Sequence, residues 1–169
     1  MEIKILQTIT HETKFKLKDE FVPRIKKCCD QLTLDEIWKR PNSNLVSVGN
    51  LILHLCGNVS QYILFGLGGL PDNRKRQEEF DFNEQLSKIE LYDKLDHLMD
   101  DVSLVLDKLE PKILTQQITV QGMNYSGFGI LMHVVEHFSY HVGQITWFTK
   151  LIKDVDMKYY GDKDLNITG

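Results

Sequence analysis

Histidines recur at steps of four in the segment His133-Val134-Val135-Glu136-His137-Phe138-Ser139-Tyr140-His141. At about 3.6 residues per turn, successive members differ by about 40° in azimuth, so all three imidazoles lie along one stripe of a helix. The same stripe carries Ile130, Val134 and Phe148. It therefore faces an apolar interior, where each imidazole needs a polar partner. A fourth histidine, His54, shares its helix face with Asn50, Leu51, Asn58 and Gln61, a polar border that suggests a lined cavity. Taken alone, His54 reads as a satisfied core or boundary residue. Taken with the triplet, it reads as a partner across a bundle. An i, i+4 histidine pair plus one histidine from a facing helix offers three nitrogen ligands around an open position, as in catalytic rather than closed structural metal sites. Imidazole ligands suit zinc, copper, iron and nickel alike.

The same letters admit a competing parse. His133-Val134-Val135-Glu136-His137 fits H-x-x-E-H, in which two histidines hold zinc and the glutamate is a general base. That parse leaves His141 and His54 unused, and Glu136 sits about 100° round the helix from His137. Gln144 lies about 20° from the stripe and could hydrogen-bond a ligand imidazole, fixing its tautomer. Gly143 points away from the histidines and is expected to permit close helix packing. Cys56 follows His54 by two residues, about 200° round the helix, and is excluded as a ligand. His11 and His97 stand among polar residues and read as surface. Trp38 and Trp147 read as core or dimer contacts rather than ligand-stacking platforms.

These side chains need helices to position them, and periodicity supplies four, near residues 3–30, 44–66, 84–109 and 126–153. Pro23 is expected to kink or split the first. Thr33 can cap a short turn that has Asp35 and Glu36 in its first residues. Pro41-Asn42-Ser43-Asn44 is a turn cluster before the second helix, and Ser126 is a plausible N-cap for the fourth. The segment from Asp72 to Glu79 mixes both charge signs and reads as a solvated connector. Gln121 to Tyr125 reads as irregular, and no pair of runs shows the alternation that a sheet demands. The fold class is therefore all-α, a four-helix bundle.

Composition narrows the function classes. The chain has 169 residues, 42% hydrophobic and 26% charged, so residues 1–169 are expected to fold as a single domain. Lys plus Arg number 20 against 24 for Asp plus Glu, a net charge of -4. No diffuse basic field exists to attract phosphate backbones, and nucleic acid is not an expected partner. No apolar run approaches the roughly 20 residues of a membrane span, and the first residues lack a signal peptide's order, so a membrane is not expected either and a cytoplasmic location is. Three cysteines, Cys28, Cys29 and Cys56, suit a reducing compartment better than a disulfide framework.

Several stretches carry a family resemblance: Leu32 to Pro41 (LTLDEIWKRP), Asn44 to Asn58 with its HLCGN core, the Arg74 to Phe80 linker (RKRQEEF), and above all His137 to Ile145 (HFSYHVGQI). In these the chain resembles the DinB/YfiT-like family of inferred metal-dependent enzymes, in a branch of unknown function close to DinB. The last stretch looks like the family's HxxxHxGQ ending. The resemblance implies a four-helix bundle whose metal ligands are His54, His137 and His141, with nickel or zinc as the metal. His133, Gln144 and Asn58 then stand as candidates for supporting or cavity-lining roles. Some relatives are thiol transferases, so a small-molecule substrate, in particular a low-molecular-weight thiol, is implied as partner, and a homodimer is expected on the same ground. The alternatives are a metal-dependent hydrolase of a small ester or amide, and a non-enzymatic metal-binding stress or scaffold protein.

Overall fold

The computed structural model describes residues 1–161 and 163–168. A first helical run comprises α1 (Glu2–Lys14), a π-helical stretch (Phe15–Phe21) and α2 (Val22–Gln31). It passes through Pro23 without splitting. Val22 N–H donates to the Leu17 carbonyl five residues back, and this wider turn lies just where proline would otherwise break an ordinary i to i−4 ladder. The short α3 (Leu34–Trp38) follows, capped as its sequence predicts. Thr33 accepts from Glu36 N–H, and the Glu36 carboxylate accepts from Thr33 N–H at 2.7 Å.

The second arm is α4 (Val48–Val59), continued by a π-helical stretch (Ser60–Leu67). Its start is set by Ser47, which forms a reciprocal capping box with Asn50, rather than by the Pro41 to Asn44 cluster. A short α5 (Arg76–Asp81) sits in the connector, and α6 (Lys88–Leu106) begins at a second such box, Ser87 with Glu90. A 3-10 turn (Pro111–Leu114) leads to β1 (Gln117–Val120) and β2 (Met123–Ser126), and the long α7 (Gly127–Lys153) completes the fold. Ser126 caps α7 by accepting Gly129 N–H at 3.0 Å.

The architecture is an all-α bundle with one small antiparallel hairpin, in which Gln117 pairs with Ser126 and Val120 with Met123. The hairpin corrects the expectation of an irregular passage. Gln121 and Gly122 turn it with φ of 53° and 73°, the pair of positive angles that a tight hairpin turn requires. All four arms feed one core: Leu17 and Ile25 from the first, Ile52 and Leu55 from the second, Leu91 and Leu95 from the third, Ile130, Val134 and Phe138 from the fourth. Phe21 stacks on Phe138 with centroids 5.9 Å apart. Cys28, Cys29 and Cys56 are free thiols. No helix among the described residues is long and apolar enough to cross a membrane.

Candidate metal centre

The site is built where α4 runs alongside α7. His54 lies in the second turn of α4, 5% exposed. His137 and His141, one turn apart on α7, are half-buried opposite it. Their Nε2 atoms converge: His54 to His137 is 3.2 Å, and His137 to His141 is 3.3 Å. Of the described residues, these three alone form a group of His, Cys, Asp or Glu side chains able to hold a metal ion.

Tautomers decide what those Nε2 atoms present. His54 Nδ1 stands 2.9 Å from Glu79 Oε2, and His141 Nδ1 stands 2.6 Å from Gln144 Oε1. A carboxylate or amide oxygen only accepts, so both Nδ1 atoms carry the proton and both Nε2 atoms present bare lone pairs. Arg74 Nη2 is also 3.2 Å from His54 Nδ1 and donates to Glu79 Oε2 at 2.9 Å; a bare Nδ1 accepting from it would set a lone pair against the carboxylate at 2.9 Å, so the protonated Nδ1 is the favoured form. His137 can supply one proton to one neighbour at most. Otherwise three lone pairs face one another, an arrangement that a cation relieves. Around a tetrahedral ion with metal–nitrogen bonds of about 2.0–2.1 Å, ligand nitrogens stand about 3.3 Å apart, which matches the two spacings from His137, and the His54–His141 pair lies within 4.8 Å. The residues therefore fit a divalent metal held by His54, His137 and His141.

Burial and mutual repulsion favour the neutral, ligating form. Burial pushes the His137 imidazole down to about 3, with the neighbouring His141, His54, His133 and Arg74 charges acting in the same direction. Burial also lowers His141, partly offset by its bond to Gln144. A proton is therefore a poor competitor for the lone pairs.

Outside His54 stands a pair that the sequence reading took for solvated connector. Arg74, with 3% of its side chain exposed, grips Glu79 through Nε to Oε1 at 2.7 Å and Nη2 to Oε2 at 2.9 Å. Burial alone would raise the Glu79 carboxyl, but the Arg74 guanidinium and the His54 bond outweigh it and hold it below the usual carboxylate range. Glu79 is thus a fixed anion behind a ligand imidazole, the arrangement that orients such ligands and raises their basicity. Phe80 lies against the His54 ring at 4.7 Å. The sequence offered one signal for this pair, the RKRQEEF stretch named in the resemblance; charge pattern alone pointed the other way.

The remaining candidates separate cleanly. His133 lies outside the ligand group. It stacks on Tyr62 at 4.3 Å and on His137 at 5.5 Å, and burial lowers its pKa. Asn58 is buried, and its Oδ1, like His133 Nε2 and the outer Nδ1 of the ligand His137, has no protein hydrogen-bond partner; Asn58 and His133 each stand one helical turn from a ligand. Glu136 is exposed. His11 and His97 are exposed as well, and Cys56 faces a groove instead of the histidines. One expectation needs correction and another narrows. Gly143 has nothing within 4 Å of where a Cβ would sit, so within this chain it permits no close helix approach. Trp147 is 65% exposed, which removes the core reading and leaves the dimer contact as its other expected role, whereas Trp38 packs at a tilt against Phe82 and donates to the Leu86 carbonyl.

Known proteins give the arrangement a context. A family described as "Protein of unknown function (DUF1572)" matches residues 9–161. The crystal structure of a DinB-like protein from Bacillus cereus ATCC 10987 superposes with a TM-score of 0.63 at 19% identity, over 79% of this chain and 87% of that one. A DinB-like protein from Bacillus subtilis, YjoA, gives 0.62 at 14% identity, over 83% and 91%. None of the curated proteins matches the chain at a significant level. The chain accordingly belongs to the DUF1572 family and shares its fold with these DinB-like structures.

Proposed function

We propose that this chain binds nickel or zinc through His54, His137 and His141 and uses it to transfer a low-molecular-weight thiol to an electrophilic carbon. The observation that carries the metal reading is the convergence of three Nε2 atoms, two of them left bare because Glu79 and Gln144 take the Nδ1 protons. When bound, a divalent ion supplies Lewis acidity that favours the thiolate form of a thiol near neutral pH. The chain's own contributions are positional. Three neutral imidazoles add no charge to oppose an incoming thiolate, and the Tyr62, His133 and Tyr125 rings pack together on the inward side of the ligands. In the reaction the thiol proton goes to solvent, a carbon–sulfur bond forms, and the electrophile's leaving group departs with its electron pair.

Thiol transfer is preferred over ester or amide hydrolysis because it needs no protein carboxylate as base. Glu79 is committed to Arg74 and His54, and Glu136 faces solvent. Pairing of two copies of the chain is part of the same proposal, with the family resemblance as its support. The test is turnover of a panel of small thiols and electrophiles by the metal-loaded protein. Turnover should fall to background in the His54→Ala/His137→Ala/His141→Ala variant. Equal rates in the two proteins would refute thiol transfer, and a metal-dependent rate with esters but not thiols would replace it by hydrolysis.

A further inference from the structure

Gly57 occupies the interior of α4, one turn after His54. Glycine there weakens a helix relative to alanine, through its larger entropy loss on folding. Its backbone is ordinary helix, so no unusual angle calls for it. What calls for it is the space it leaves. A Cβ built at Gly57 would overlap Glu79 Oε1, and would stand 2.7 Å from Glu79 Cδ and 3.0 Å from Arg74 Nε. The missing side chain is the seat in which the Arg74–Glu79 pair rests.

The segment that delivers this pair is fastened at three further points, by Asn50 on α4, by Arg40 in the loop after α3 and by Gln61 in the π-helical stretch that continues α4. Asn50 Nδ2 donates to the carbonyls of Glu79 and Phe82, both at 2.9 Å. Arg40 donates to the Phe80 carbonyl and to Asn50 Oδ1. Gln61 accepts from Arg74 Nη1 at 2.9 Å and donates to Asp72 at 2.7 Å. α5 has no fully buried residue of its own, and its apolar contact with the site is the half-buried Phe80 ring against His54. Polar fastening and the seat at Gly57 therefore supply much of the docking.

We infer that Gly57 is a positioning residue for the metal centre: it lets residues 72–82 dock as a strap that presses the Glu79 carboxylate onto His54 Nδ1, fixing the tautomer and basicity of that ligand. The inference rests on the metal reading above. Gly57→Ala is expected to strengthen the helix locally yet displace the strap, weakening metal affinity by about 10–100-fold, the usual loss when such an outer partner of a ligand is removed.

Cobalt(II) titration followed by visible absorption tests this on the intact chain, with circular dichroism as a check on folding. Gly57→Ala and Glu79→Ala should each weaken cobalt binding and alter the absorption bands. The double variant should be no weaker than either single one, because both remove the same contact. Glu79→Ala introduces no bulk, so it reads the contact even if Gly57→Ala folds poorly. Wild-type affinity and spectrum in Gly57→Ala, or additive losses in the double variant, would overturn the inference while leaving the metal site standing. A wild-type chain that binds no cobalt would overturn the metal reading, and the inference with it.

Discussion

The two sides of the metal centre are made differently. On α7, His137, His141 and Gln144 lie within one helical stretch, and the Gln144 contact to His141 spans three residues. Once α7 forms, that half of the site exists. On α4, His54 depends on partners 20 and 25 residues away, Arg74 and Glu79, carried by a strap with no buried residues in its helix. One half is fixed by helix geometry and the other by docking. Changes in the strap should therefore reach farther than equal changes on α7.

Arg74→Ala should give the largest effect of this kind. It leaves the Glu79 carboxylate without its cation, a loss of about 3 kcal/mol in a denaturant titration, since stranding one member of a buried pair costs more than the pair gives. It should also weaken metal binding. A surface-like change of a few tenths of a kcal/mol would mean that the strap is loosely held. Gln144→Ala is the counterpart on α7. Gln144 is exposed, and losing a neutral bond to His141 should cost only about 0.5–1 kcal/mol of binding, a roughly two- to fivefold weakening by calorimetry.

Acid should act on both halves in the same direction. In the metal-free fold His137 is held down to about 3, whereas in the unfolded chain it titrates near about 6.5. Between these values the unfolded state holds more protons, so stability is complete above about pH 6.5 and is lost as pH falls toward 3. Glu79, also lowered by folding, adds to the loss once the pH passes below the unfolded carboxylate's value of about 4.3. Thermal melts of the metal-free protein across this range should show a falling midpoint; a flat profile would show the imidazole to be solvated. The smallest effect belongs to His133→Phe, which keeps the stacking on Tyr62 and should leave metal affinity unchanged.

The same contrast explains what could be read from sequence. Steps of four in α7 and the Ser126 cap are local, and both were legible in the sequence. So was the Thr33 cap, for the same reason. Helix starts at Ser47 and Ser87 fell three residues inside the periodic ranges, because apolar spacing marks a face but not the residue that accepts the first N–H. Two four-residue strands are too short for alternation to register, although Gln121-Gly122 supplied their turn. Arg74 and Glu79 were read as solvated because charge pattern carries no information about a seat opened 17 and 22 residues earlier at Gly57. Trp147 shows the converse: an apolar side chain on a core helix that faces outward.

Elemental analysis of the untagged protein beside its His137→Ala variant tests the central claim most directly. His137 is the ligand whose Nε2 lies within 3.3 Å of both others. The account expects near-stoichiometric nickel or zinc in the wild type and loss of that metal in the variant. Equal metal in both, or none in either, would contradict it and return the three histidines to the status of core residues.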